Sequence, residues 1–239
     1  MKTSTWVTTL ILLFILAKAE NAKSQTTILQ VDRAVDSIPP QRGPNLEKFS
    51  HAFFYFGFIA GADKPGAPIL YGPSVEFGGG ARKKYKLSPL YSMGWELSVG
   101  EQIYKLKQEA GKIFPDSSIN EVERFSTAGV RIAYYNRFNF DLHRGNYMGS
   151  YLDIGIAGEW DFDITHTLKN TLPDGSQEKL VITGLPYVNH FNSGAFVRFG
   201  KSHFSLYSYF RLSKLFKSGY HYPELPALTA GIEFSVFRQ

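Results

Sequence analysis

The sequence contains no cysteine, and this absence limits both the fold and the means of membrane attachment. Without cysteine the chain has no disulfide framework of the kind that small secreted domains use. It also has no thiol that could carry a lipid anchor, which excludes a lipoprotein. Long apolar runs are absent as well: after residue 16, no segment approaches the ~20 consecutive apolar residues of a transmembrane helix.

Charge of one sign is in modest excess only. The formal net charge is +5, and loss of Lys2 and Lys18 by cleavage before Glu20 would leave +3. The excess is spread along the chain, which does not indicate nucleic-acid binding. The six histidines show no spacing typical of metal ligands. We therefore expect no nucleic-acid partner, no metal and no cofactor.

The first residues have the pattern of a secretory signal peptide. Lys2 provides a basic start, Trp6–Leu16 is a short apolar run, and Ala17-Lys18-Ala19 fits the small-x-small cleavage rule. We predict a signal peptide at residues 1–19, with cleavage after Ala22 as a second possibility and an uncleaved anchor helix as the alternative.

The remaining chain is rich in aromatic residues and glycine. Aromatics make up 15% of the residues, with 20 Phe and 14 Tyr, and there are 22 glycines. This composition favours an all-β chain, and about 220 residues favour a single domain. Residues 20–49 lack a clear period and include the proline-rich stretch 37–44, so we predict an extended tail there.

The strongest pattern lies at residues 147–164, where apolar and charged side chains alternate. One face holds Leu152, Ile154, Ile156, Trp160, Phe162 and Ile164, and the other holds Asp153, Glu159, Asp161 and Asp163. A side-chain period of two is typical of a β-strand. In a soluble sheet the charged face would meet water, whereas in a transmembrane barrel the apolar face meets lipid and the charges point into the lumen.

Seven further segments show the same period, which makes eight in all. They lie at about residues 50–60, 71–85, 91–104, 125–138, 187–199, 203–214 and 227–237. Most reach the ~9–11 residues that a strand needs to cross a bilayer. The orientation of 50–60 stays open, because that segment is aromatic on both faces.

Long and short connections alternate between these segments. The first, third, fifth and seventh connections are the long ones, as expected for an outer-membrane barrel with both termini in the periplasm. We therefore predict an all-β, eight-stranded antiparallel transmembrane β-barrel of up-and-down topology at residues 50–239, in the outer membrane of a Gram-negative cell. A soluble all-β sheet is the alternative.

The predicted lumen carries nearly equal numbers of basic and acidic groups. An eight-stranded interior is filled by side chains, so charges there must be paired. We expect a structural network formed by Arg82, Lys84, Arg131, Arg137, Arg198 and Arg211 with Glu76, Glu96, Asp153, Glu159, Asp161, Asp163 and Glu233.

The signal peptide, the eight segments and the closing stretch Thr229–Phe237 together resemble the small outer-membrane β-barrels of the OmpA-like and PorT-like type found in the Bacteroidota. The closing strand is similar to the sorting signal that the barrel-assembly machinery reads. The resemblance implies a membrane barrel. The resemblance to PorT-like proteins in particular implies a role in the type IX secretion system.

The motifs that could carry chemistry are few. His203 and Ser205 have a spacing similar to that of outer-membrane lipid A deacylases, but we interpret them as lumen residues. His190 with Ser193 is a weaker candidate for a catalytic pair.

The acidic run 153–163 suggests pairing with Arg131 and Arg137 on the preceding strand rather than a cation site. The glycines at 78–80 lack the helix and Lys-Ser of a phosphate loop and indicate a bend, a bulge or a packing site. We interpret Trp95, Tyr134 and Trp160 as outward, lipid-contacting aromatics.

We therefore expect a non-enzymatic barrel that acts as a structural or accessory subunit of an outer-membrane complex for secretion, assembly or uptake. Its expected partners are outer-membrane lipid and lipopolysaccharide, the barrel-assembly machinery during insertion, and another protein of the complex. A lipid A-modifying enzyme and a narrow solute channel are the alternatives, and an adhesin that uses the loops at 105–123 and 165–186 is a weaker one.

Overall fold

The computed structural model describes residues 43–62 and 64–237. The signal peptide predicted at residues 1–19 and most of the tail predicted at 20–49 lie outside this part of the chain. The strands are β1 (Lys48–Ala60), β2 (Val75–Lys86), β3 (Tyr91–Leu106), β4 (Val122–Asn139), β5 (Ser150–Thr171), β6 (Gln177–Thr183), β7 (Phe191–Lys201), β8 (Phe204–Arg211) and β9 (Leu228–Val236). One short 3-10 turn, Ser218–Tyr220, lies between β8 and β9.

Eight of the nine strands form a closed antiparallel ring. Strands β1 to β5 pair in chain order, β5 then pairs with β7, and β7, β8 and β9 lead back to β1. The prediction of an all-β chain with its antiparallel strands in a ring is therefore confirmed. No helix within the described ranges has the length and apolar character needed to cross a membrane.

The stagger of the ring follows from the strand register. One row of directly paired residues passes through all eight strands and consists of Tyr91, Phe138, Leu152, Phe199, Leu206, Ile232, Phe56 and Phe77. The row returns to β3 at Glu101, ten residues from where it began. At about 3.3 Å per residue and about 4.8 Å between strands, this stagger corresponds to a strand tilt of about 41°.

The alternation of side chains decides which residues face the interior. In β1, for which the sequence left the orientation open, Phe53 and Tyr55 are buried inside the ring, whereas Phe54, Phe56 and Phe58 are exposed on the outer wall. The same period of two places charged residues inside and apolar residues outside along the other ring strands.

A bulge in β5 corrects one part of the sequence-based prediction. Gly129 pairs with Asp161 and Ala128 with Asp163, so Phe162 is an extra residue without a partner on β4. The extra residue reverses the phase of the strand beyond it. Asp163 is exposed and Ile164 is buried. The prediction that Asp163 faces the lumen and Ile164 the outside was therefore wrong.

The connection predicted after residue 164 contains a hairpin. Strand β5 continues to Thr171, and β6 pairs with residues Thr165–Thr171 beyond the end of β7. The backbone of the turn closes with a hydrogen bond from the Leu172 amide to the Ser176 carbonyl, at 2.8 Å. All side chains of β6 are exposed. The hairpin thus extends the wall of the ring at the end where the long connections lie.

Candidate functional site: the ring interior and its two ends

The charged residues of the interior form a compact ion-pair network near the short-connection end. Arg82 donates two hydrogen bonds to Glu233 and one to Glu96, each at 2.8 Å. Arg198 lies 3.1 Å from both of these carboxylates and 2.9 Å from Asp153. All five side chains are buried. Burying a charge costs several kcal/mol per ion, and here pairing offsets that cost.

Two further arginines complete the network. Arg137 donates two hydrogen bonds to Asp153, at 2.6 and 2.8 Å. Arg131 contacts Glu76 at 2.7 Å and Glu159 at 3.1 Å. The structure therefore pairs nine of the predicted network residues in two groups. One group holds Arg82, Glu96, Arg137, Asp153, Arg198 and Glu233, and the other holds Glu76, Arg131 and Glu159.

Three predicted network residues have other partners. Asp161 accepts a hydrogen bond from the Asn192 amide at 2.8 Å. Arg211 donates to the Leu225 carbonyl at 2.9 Å and lies 3.7 Å from Glu224, so it holds the connection between β8 and β9. The third, Lys84, bonds to the chain segment that precedes β1, as described below.

Tyrosine rings fill the space between the arginines and the wall, a packing role that the sequence pattern did not predict. The Arg131 guanidinium carbon lies 4.1 Å from the centre of the Tyr209 ring. That ring covers Gly194 so closely that a β-carbon there would lie 2.3 Å from the phenol oxygen. The same layering of arginine, tyrosine and glycine occurs with Arg137, Tyr151 and Gly200. Glycine on the charged face of a strand was the available sequence signal for such packing.

The triple glycine of β2 serves the same purpose. A β-carbon on Gly78 would lie 2.5 Å from the Tyr55 phenol oxygen and 2.4 Å from the Val99 carbonyl oxygen. Of the three roles that the sequence left open, the structure shows the packing site. Among these interior side chains a cavity of about 20 Å³ remains, lined in part by Tyr55, Glu96 and Arg131. A space of this size holds about one water molecule.

The long-connection end is covered by an apolar cluster, here called the loop cap. Its buried residues from the four long connections are Ala67, Ile69, Phe114, Leu185, Val188, Leu215, Phe216 and Leu225. Phe114 is fully buried, with its ring centre 4.4 Å from that of Phe216. Tyr187 packs against the cluster, and burial raises the pKa of its phenol well above the ordinary value.

A buried polar group ties the loop cap to the strands beneath it. The Glu123 carboxylate accepts hydrogen bonds from His166 Nε2 at 2.8 Å and from the Gln108 amide at 2.9 Å. Lys112 also donates to Glu123. Because Gln108 and Lys112 belong to the connection between β3 and β4, these bonds hold that connection against the ring.

The short-connection end is covered by residues 43–47, here called the anchor segment. Lys84 Nζ donates to the Pro44 carbonyl from inside the ring. The Asn45 side chain donates to the carbonyls of Arg144 at 3.1 Å and Gly145 at 3.0 Å. Burial, together with the nearby Arg137 guanidinium, lowers the pKa of Arg144 below its ordinary value.

The residues considered for catalysis are not brought together. His203 Nδ1 donates to the Ser235 carbonyl at 2.8 Å, and its ring stacks on Phe237 at 4.2 Å. The Ser205 hydroxyl donates instead to Glu233, at 3.4 Å. His190 donates to the Asp161 carbonyl at 2.8 Å, whereas Ser193 faces outward. Neither histidine is placed to take a proton from the serine proposed as its partner.

The outward aromatics lie on the outer wall, where Trp95 and Tyr134 have their ring centres 4.9 Å apart and Trp160 is exposed. Within the described part of the chain, no three His, Asp or Glu side chains are grouped so that they could hold a metal ion.

Comparison with known proteins gives no match, whether to a family model, to a curated protein or to a solved structure.

Proposed function

We propose that this protein is an outer-membrane β-barrel without enzymatic activity, acting as a structural or accessory subunit of an outer-membrane complex. The observation that carries the proposal is the inversion of polarity across the wall of the ring. Ion pairs fill the interior, whereas large apolar side chains cover the outside.

The outer wall supports a membrane environment over an aqueous one. The uncharged, largely apolar row from Tyr91 through Leu152 to Phe77 passes around the whole ring. Soluble monomers rarely expose a contiguous apolar patch larger than a few hundred Å². On β5 the outward residues from Leu152 to Phe162 carry no charge, and at a tilt of about 41° they cover a band about 25 Å tall. Transmembrane barrels have an apolar band of about this height.

The interior argues against a solute channel. Arg82, Arg198 and the carboxylates between them fill the interior toward the short-connection end, and the loop cap and anchor segment cover the two ends of the ring. The separation of His203 from Ser205 likewise argues against a lipid A-modifying enzyme. We therefore favour a role in which the outer surfaces of the protein bind a partner. The type IX secretion system is suggested only by the resemblance of the sequence pattern to PorT-like proteins.

The experiment that tests the proposal is purification of a tagged protein from outer membranes in mild detergent. The tag is best placed in the turn at residues 173–175, whose side chains are all exposed. Native electrophoresis and mass spectrometry should show a large species with stoichiometric companions. Labelling of the tag on intact cells should also succeed, because the long connections are expected outside.

Two outcomes would contradict the proposal in different ways. A single heat-modifiable band without companions would retain the barrel but remove the accessory-subunit role. Recovery of the protein in the soluble fraction of the cell would remove the membrane barrel itself. The untagged protein, taken through the same purification, serves as the control for companions that bind the resin.

A further inference from the structure

Basic residues are paired directly opposite each other on neighbouring strands, on the outward face of the sheet at the long-connection end. Lys105 of β3 is directly opposite Arg124 of β4, and Lys169 of β5 is directly opposite Lys179 of β6. All four belong to the outward phase of their strands, and Arg124, Lys169 and Lys179 are exposed. They lie beyond Asp163, on the long-connection side of the apolar band.

Directly opposed like charges destabilise a sheet, so two such pairs on one face require an explanation. The only salt bridge made by the four within the described residues joins Arg124 to Glu101, at 3.0 Å. Asp163 is opposite Ala128 and therefore nearer the apolar band. The Glu121 carboxylate, which accepts a hydrogen bond from the Thr171 hydroxyl at 2.6 Å, forms no salt bridge with any of the four. Three of the four cations, Lys105, Lys169 and Lys179, thus form no salt bridge with a carboxylate of the described residues.

We propose that Lys105, Arg124, Lys169 and Lys179 bind the phosphate groups of lipopolysaccharide. Side chains directly opposite each other have β-carbons about 5 Å apart, so one phosphate can accept hydrogen bonds from both members of a pair. The Arg124 guanidinium offers the planar pair of donors that phosphate accepts. The bound anion would turn two repulsive pairs into favourable contacts.

The position of these four residues, here called the basic patch, indicates which molecule supplies the phosphate. This inference rests on the proposed membrane barrel, because only then does the patch lie just outside the lipid band at the long-connection end. In the proposed orientation that end faces the outer leaflet, where lipopolysaccharide is found. Phospholipid headgroups of the other leaflet would instead meet Lys48, Lys83 and Lys201, which are exposed at the short-connection end.

The test measures the temperature at which the folded protein in detergent loses its compact, heat-modifiable form. Rough lipopolysaccharide, phosphatidylglycerol and inorganic phosphate are added separately. The variant Lys105→Gln/Arg124→Gln/Lys169→Gln/Lys179→Gln is compared with the matched control Lys48→Gln/Lys83→Gln/Lys201→Gln. We expect lipopolysaccharide to raise the transition by several degrees in the wild type and the control, and the four-residue variant to lose more than half of that shift.

A single substitution keeps the test decisive if the four-residue variant does not fold. Lys179→Glu converts the pair with Lys169 into opposite charges. It should raise the transition temperature without lipopolysaccharide and reduce the shift that lipopolysaccharide causes. A merely structural role for Lys179 would leave that shift unchanged.

The remaining outcomes separate this inference from the proposed function. Equal shifts in the patch variants and the control, or an equal shift with phosphatidylglycerol, would overturn the lipopolysaccharide site while leaving the barrel intact. Failure of the wild type to fold in detergent or lipid would overturn the proposed membrane barrel, and the site with it.

Discussion

Arg82 and Glu233 are 151 positions apart in the sequence, yet they are joined by two hydrogen bonds of 2.8 Å inside the ring. Their strands, β2 and β9, are not neighbours, because β1 lies between them. The contact therefore forms only when the ring has closed. Both side chains are buried, so loss of either one leaves a charge without its main partner.

We predict that Arg82→Gln destabilises the protein by about 3–5 kcal/mol, because Glu233 and Glu96 keep their charges in the interior. Urea unfolding in detergent, followed by the loss of the heat-modifiable form, measures this change. The neighbouring Lys83 points outward and is exposed, so Lys83→Gln should alter stability by less than about 0.5 kcal/mol. Equal urea midpoints for the two variants would show that the buried pair contributes nothing.

Gly194→Ala should destabilise the protein by about 1–3 kcal/mol through overpacking, since its β-carbon would lie 2.3 Å from the Tyr209 phenol oxygen. Gly158 is the matched control: it lies on the outer wall, and a β-carbon there meets nothing within 4 Å. Gly158→Ala should keep the wild-type urea midpoint. A Gly194→Ala variant as stable as Gly158→Ala would mean that the tyrosine layer is free to move.

Ile156→Lys distinguishes a lipid-facing wall from a water-facing one. Ile156 is 62% exposed near the middle of the apolar band, and a lysine there should cost about 2–4 kcal/mol in a bilayer. Ile119, in the long connection between β3 and β4, is 64% exposed, and Ile119→Lys should cost almost nothing. Stability is measured in lipid vesicles. Equal values for both variants would favour a soluble ring.

Phe114→Ala should loosen the loop cap and leave the ring closed. Removing a buried phenylalanine typically costs about 3–5 kcal/mol, and here the loss falls on the connections rather than on strand pairing. Trypsin should cleave after Lys107 or Lys112 at a lower concentration than in the wild type, while the heat-modifiable form persists. Ile113→Ala, at an exposed neighbour, should leave the cleavage rate unchanged.

The pattern of β5 shows how far local periodicity reaches. The alternation from Leu152 to Trp160 was enough to assign both faces, because successive side chains of a strand point to opposite sides. It failed at Asp163, because a bulge depends on how β4 and β5 are paired and leaves no mark on either strand alone. Strand β6 was missed as well: it pairs only with β5, and all of its side chains are exposed, so burial imposes no period on its sequence.

The interior shows a similar division. The sequence identified the charged residues that face inward and required that they be paired, but it could not give the pairs. Arg198 meets carboxylates from β3, β5 and β9, and only the stagger of the closed ring brings those strands to one level. The packing role of the tyrosines was missed because it depends on a glycine of another strand, and the pattern of one strand does not show which residues of another strand lie beside it.

The sequence by itself determined the all-β class, the ring strands and, before the bulge, the face on which each side chain lies, because these depend on a local period of two. Tertiary structure decided the partners of Arg82 and Arg211, the bulge at Phe162 and the opposed lysines Lys169 and Lys179. Those features depend on register between strands that are distant in sequence. Register is fixed only when the ring closes and all of its strands are aligned at once.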